Sequence, residues 1–197
     1  MTSTAPQQLR RILVPLVAVV SGLVFAPSAS TAVEKSRFFE ETARAFWAVP
    51  HECADGTTVE ATLLVETTRD FESPDTEDAD PTARVQYQAV CPDGTSFSWI
   101  TFGAPATITS TKNLKSVTAT GAGIATDILG ETHEVTFDVT WTAVGPLATT
   151  VNGPGSKRQQ REAVATGTVT FDGEVLVDGP ANHPTRPAPF IRVDTEK

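Results

Sequence analysis

The chain has 197 residues and a formal net charge of −9, with two cysteines, three histidines, three tryptophans and one tyrosine. An acidic balance of this kind repels phosphate backbones, which excludes nucleic acid as a natural partner and leaves the charge as a means of keeping the protein dispersed in water. The length accommodates one domain with its own core, and the composition, rich in Thr, Val and Ala, holds few of the long apolar residues that favour helices.

Taken in chain order, the first charged side chains are Arg10 and Arg11, and a nearly unbroken apolar run from Ile12 to Ala26 follows them. The run is shorter than the roughly 20 residues that span a bilayer. Followed by Ser28-Ala29-Ser30-Thr31-Ala32, with small residues where a signal peptidase needs them, it reads as the apolar centre of a secretory leader over residues 1–32. No cysteine sits at the cleavage point for a lipid anchor, and Gln8-Leu9-Arg10-Arg11-Ile12 fits a twin-arginine signal poorly, so the general secretory route is expected. Residues 33–197 then form one exported domain, secreted or held in the cell envelope, with no stable membrane span after cleavage.

Within that domain the residues at 36–45 suit one short helical turn, and from there period-two alternation takes over. Val59, Ala61, Leu63 and Val65 oppose Glu60, Thr62 and Glu66; Val85, Tyr87, Ala89 and Cys91 oppose Arg84, Gln86 and Gln88; Phe97 and Trp99 oppose Ser96 and Ser98. The cleanest run is Val135, Phe137, Val139 and Trp141 against Thr136, Asp138, Thr140 and Thr142, and Ala163, Ala165, Val169 and Phe171 repeat it opposite Thr166, Thr168 and Thr170. These are half-buried antiparallel strands. Cys53-Ala54-Asp55-Gly56-Thr57 and Cys91-Pro92-Asp93-Gly94-Thr95 share a C-x-D-G-T pattern, and Phe171-Asp172-Gly173-Glu174 is a third turn of the same kind, which predicts hairpins over 44–66, 83–102 and 161–178. Loops are expected at 67–81, at 152–160 and in the proline-rich segment 179–189. The predicted fold is all-β, an antiparallel sandwich or barrel of about eight or nine strands built from hairpins.

In an oxidising compartment an even pair of cysteines bonds, so Cys53 and Cys91 are expected to form a disulfide that joins two equivalent hairpin positions. The loop they would close, with the two cysteines 38 positions apart, is worth roughly 4 kcal/mol on the chain-entropy model. The acidic stretch with Asp70, Glu72, Asp75, Glu77, Asp78 and Asp80 lacks the glycine and closing glutamate of an EF-hand, so a solvated loop is favoured over a calcium site. His51, His133 and His183 lie on separate segments without zinc-ligand spacing, and no metal or other cofactor is expected. No nucleophile elbow, P-loop or dinucleotide fingerprint is present, and no catalytic residue is assigned. Among the aromatics, Phe97, Trp99, Phe137 and Trp141 read as core, while Trp47 and Phe102 are the candidates for a binding surface.

Val139-Thr140-Trp141-Thr142-Ala143-Val144-Gly145-Pro146-Leu147, followed by Arg161-Glu162-Ala163-Val164-Ala165-Thr166-Gly167-Thr168-Val169, resembles a group of uncharacterised secreted β-rich proteins of actinobacteria, and the stretch from Trp47 to Cys53 is similar to theirs as well. The resemblance spans roughly residues 44–170. It implies compartment and fold, and it carries no activity and no site residues. The expected function is a non-enzymatic binding or cell-surface role toward a protein, a glycan or a small ligand outside the cell. The alternatives are a small-ligand carrier with a barrel cavity and a hydrolase with a carboxylate pair.

Overall fold

Two copies of one turn set the architecture. In each C-x-D-G-T turn the cysteine N–H donates to the carbonyl of the closing threonine, Cys53 to Thr57 and Cys91 to Thr95, both at 2.8 Å. The glycines at 56 and 94 take φ of 81° and 86°, a region open to glycine because it has no Cβ. Asp55 Oδ1 accepts from Thr57 N and Oγ1 at 2.9 and 2.6 Å, and Asp93 Oδ1 accepts from Thr95 at the same distances. The threonine hydroxyl bond, then the backbone bond, holds each of these carboxyls below its ordinary range.

The computed structural model describes residues 38–71 and 80–196. The proposed leader lies outside them, as do Glu72, Asp75, Glu77 and Asp78 of the acidic stretch. The strands are β1 (Phe38–Glu52), β2 (Thr58–Phe71), β3 (Thr82–Val90), β4 (Ser96–Thr101), β5 (Ala104–Ser110), β6 (Ser116–Asp127), β7 (Thr132–Ala143), β8 (Ala148–Gly153), β9 (Ser156–Phe171), β10 (Glu174–Pro180) and β11 (Phe190–Glu196), with a short 3₁₀ turn at Lys112–Leu114. All pairings are antiparallel, and the path β1-β2-β3-β4-β6-β7-β9-β11 returns to β1, closing a ring of eight strands. The other three extend ring members: β5 continues β4 along β6, β8 continues β7 along β9, and β10 precedes β11 along β9.

The fold is therefore all-β, with eleven strands where about eight or nine were expected, because three ring positions are interrupted by a bulge or loop. Three local expectations need correction. Residues 38–45 are strand, not a helical turn, since β1 is bonded on both sides, to β2 and β11. Residues 67–71 belong to β2, not to a loop. Residues 152–160 form a hairpin between β8 and β9, turning at Pro154-Gly155. The hairpins predicted near 44–66, 83–102 and 161–178 are present as β1–β2, β3–β4 and β9–β10.

Inward positions make one core: Ala43, Ala45, Trp47 and Val49 from β1, Ala61, Leu63 and Val65 from β2, Val85 and Tyr87 from β3, Trp99 from β4, Phe137 and Trp141 from β7, and Val169 and Ile191 from β9 and β11. Large and small side chains alternate around the ring, as a closed barrel of this size requires. The inward face of β6 reads Val117, Ala119, Gly121, Gly123, Ala125, and the Phe137 ring occupies the space a Cβ at Gly121 would need (Phe137 Cζ at 2.5 Å). At Gly167 a Cβ would meet the backbone of β7, with Asp138 O at 2.5 Å and Val139 Cα at 2.9 Å. The outward face carries threonine rungs, Thr118 to Thr140 at 3.1 Å and Thr136 to Thr170 at 2.6 Å, and ion pairs of Arg44 with Glu66 and of Arg158 and Arg192 with Asp194. Among the described residues no helix is long and apolar enough to cross a membrane.

The Cys53–Cys91 disulfide is present, with Cα atoms 6.0 Å apart, and ties the β1–β2 turn to the β3–β4 turn. Replacing both cysteines by alanine is expected to lower unfolding free energy by roughly 4 kcal/mol. A loss below about 1 kcal/mol in denaturant titration would show that strand register alone holds the turns together. Gly167→Ala is expected to cost about 1–3 kcal/mol through collision with immovable backbone; an unchanged midpoint would show that β9 can move away from β7.

Candidate functional site

The two ends of the ring differ. One is plugged by a ladder of stacked rings. His51 lies against Phe97 (centroids 5.5 Å apart), Phe97 meets Tyr87 edge-on at 6.0 Å, Tyr87 stacks on Trp99 at 5.5 Å, Trp99 on Phe171 at 4.9 Å, and Phe171 on His133 at 4.5 Å. The linked cysteine turns adjoin this ladder. His51, Cys53 and Cys91 come close enough to share an ion, but both thiols are consumed in the disulfide, which leaves a lone imidazole. His51 Nδ1 is instead paired with the Tyr87 hydroxyl at 3.0 Å.

The other end holds a cavity of about 520 Å³, open to solvent, within the size range of small-ligand sites. Its apolar wall is Phe39, Ile108, Leu114, Leu147 and Val193, and its polar groups include Glu41, Arg69, Ser110 and Gln159. Glu41 and Arg69 are directly opposed in the β1–β2 register, both on inward positions. Arg69 Nη2 donates to Glu41 Oε2 and to Ser110 Oγ, each at 2.9 Å. The Glu41 side chain is 4% exposed, and its other oxygen, Oε1, is buried without a hydrogen-bond partner among the described residues. A buried carboxylate oxygen lacking a donor costs on the order of 1–3 kcal/mol, more when charged.

The rim is held in an unusual conformation. Asn113 and Leu114 have φ of 64° and 55°, in the left-handed region that a bulky side chain seldom enters. Arg161 fixes this loop and its neighbour together, its Nε donating to Asn113 O and its Nη1 to Gly145 O, both at 2.9 Å. Strain of this kind persists where surrounding structure enforces it, and it seats Leu114 in the cavity wall.

The two surface candidates separate. Trp47 is 2% exposed on the inward face of β1, with its indole N–H donated to Gly179 O at 3.1 Å, so it is core and offers no binding surface. Its position two residues beyond Ala45 in an alternating strand is the physical reason. Phe102 is 80% exposed at the bend between β4 and β5. Trp99, Phe137 and Trp141 are buried and Phe97 is packed against them. His183, on the 179–189 segment, is paired through Nε2 with Thr62 Oγ1 at 2.8 Å. Neither Glu41 nor Arg69 was singled out from the sequence. Extending the alternation of β1 back from Ala43, and of β2 forward from Val65, would have placed both inside.

Tyr87 is the only tyrosine of the chain and reports on the plugged end alone. Burial pushes its hydroxyl up to about 12 from 10.0. The unfolded chain loses this proton first, so the folded state is destabilised as pH rises from about 10 toward 12 and is unaffected below that window. Phenolate absorbance of the folded protein should therefore rise near pH 12; a midpoint near 10 without unfolding would mean that the ladder is open to water. Comparison with protein-family models, with curated proteins and with solved structures found no match for this chain.

Proposed function

We propose that this protein is an exported, non-enzymatic binding domain that holds a small amphipathic molecule in the open end of its barrel. The leader-like residues 1–32 and the Cys53–Cys91 bond support an oxidising compartment outside the cytoplasm. The observation that carries the reading is the buried, half-satisfied Glu41 lining the 520 Å³ cavity. A carboxylate oxygen without a donor is complementary to a ligand hydroxyl or ammonium group, while Phe39, Ile108, Leu114, Leu147 and Val193 suit an apolar body. An eight-stranded ring is also the size at which a barrel either fills with side chains or holds one small ligand. Here the middle is filled and the cavity lies at one end. A carboxylate-pair hydrolase is less well supported, since the described lining contributes a single carboxylate, Glu41.

Native mass spectrometry of the protein purified from its own host tests this. The expected result is a non-covalent small-molecule adduct, lost in Leu147→Trp, which fills the cavity, and weakened in Glu41→Gln, which keeps the shape and removes the charge. Wild-type protein that travels at its bare mass, or an adduct equally abundant in both variants, would overturn the proposal.

A further inference from the structure

We propose that the β6–β7 and β9–β10 turns together form a site for a divalent first-row transition metal, with Asp127, Glu131 and His133 as ligands and Asp172 as the group that orients the imidazole. The site lies at the plugged end of the ring, away from the cavity, and does not depend on the ligand reading above. One ligand atom from each of Asp127, Glu131 and His133 falls within 4.8 Å of the others. His133 Nε2 and Asp127 Oδ2 are 3.8 Å apart, too far for a hydrogen bond and a few tenths of an ångström wider than the roughly 3.4 Å between two ligands on a tetrahedral ion with bonds of about 2.0–2.2 Å.

The polar contacts around the imidazole divide cleanly. Nδ1 faces Asp172 Oδ2 at 2.8 Å, and the Asp172 carboxylate is itself held by Glu134 N, which donates to Oδ1 at 2.9 Å. A carboxylate accepting from one ring N–H fixes the tautomer and presents the other nitrogen as a lone pair, the usual outer-shell arrangement of a metal-bound histidine. That other nitrogen, Nε2, is buried and has no hydrogen-bond partner among the described residues. Stacking on Phe171 at 4.5 Å fixes the ring plane. Asp127, with its side chain 4% exposed, spends Oδ1 on the N–H groups of Leu129 and Glu131, both at 2.8 Å, which turns Oδ2 toward the histidine. Glu131 is exposed and free to complete the set. One imidazole and two carboxylates suit zinc and its first-row neighbours, with a position left for water.

The rival occupant is a proton. The Asp172 hydrogen bond, with the Asp172, Asp127 and Glu131 charges, raises the His133 pKa, and an imidazolium would neutralise the same carboxylates. It would also leave an N–H on Nε2 buried and unbonded, which a metal ion would not.

Calorimetric titration of the full chain with Zn²⁺ alone at neutral pH, paired with the ¹⁵N shifts of the His133 ring, separates the two. The metal site gives one equivalent bound, with Nε2 shifting on titration while Nδ1 keeps its proton. His133→Gln and Glu131→Gln should each weaken binding at least about tenfold, and Asp172→Asn about 10–100-fold. Glu131 is exposed, so its variant keeps the test valid should His133→Gln fold poorly. Zn²⁺ binding that is unchanged in Glu131→Gln and His133→Gln, or a His133 ring that stays doubly protonated at millimolar Zn²⁺, would overturn the proposal.

Discussion

Everything else in this molecule follows from the closure of β11 onto β1. Once Phe38–Arg44 pair with Phe190–Glu196, the sheet has no free path around the ring, and eight strands enclose a space with a fixed cross-section. Every inward side chain must fit that space together with its neighbours. This is why β6, facing Phe137 and the β4–β5 bend, carries Gly121 and Gly123 inward, and why Gly167 lets β9 press against the backbone of β7. A change on one strand is felt on the next because the interior is packed at crystal-like density.

The same constraint explains the asymmetry of the two ends. At the cysteine turns, inward positions are aromatic and stack across the opening, with one edge-on step between Phe97 and Tyr87, so the plug is continuous from His51 to His133. At the far end the inward positions are Glu41, Arg69, Ser110 and Gln159, and such side chains do not close an apolar barrel. A buried ion pair gains less from mutual attraction than its two charges lose in leaving water, so well-packed hydrophobic residues would be at least as stable here. With Oε1 left without a donor among the described residues, the pair is a poor stabilising device. The left-handed Asn113-Leu114 step points the same way. It is a conformation with a cost, enforced by Arg161 from β9, and its result is an apolar wall facing the carboxylate.

Much of the fold was legible because barrels use the simplest sequence signal there is, alternation with period two, and this chain keeps it cleanly over Val135–Trp141 and, with Leu64 as the exception, over Val59–Val65. The turns were legible for the same local reason: Asp, Gly and Thr at fixed offsets specify a conformation regardless of what surrounds them. What could not be read was set by distant partners. Residues 38–45 look weakly helical in isolation and become strand because two neighbours bond them. Asn152–Gln160 looks like a loop because it is polar on both faces, yet it is the end of β8 and the start of β9, held by the pairing of the two. Glu41 and Arg69 escaped notice for a related reason. A charged residue at an inward position breaks the alternation and reads as the end of a strand, when here it marks the strand's entry into a polar chamber. Asp127 and Glu131 stand close to His133 in the chain, but Asp172, which orients the imidazole, arrives from a turn 39 residues away, and short acidic stretches beside a histidine are common on exposed turns.

The plug and the chamber make different demands, and the barrel meets them by separating them along its axis. The proposed metal site would need atoms held to fractions of an ångström, and the stacked rings, the paired Asp172 carboxylate and the disulfide-tied turns lie at its end. The rim of the chamber is two short loops bridged by the guanidinium of Arg161. The closed ring between them is filled by Trp47, Trp141, Leu63 and Val85, which couple the ends mechanically only through packing. Sites separated by such a core act nearly independently, so their mutational effects should add.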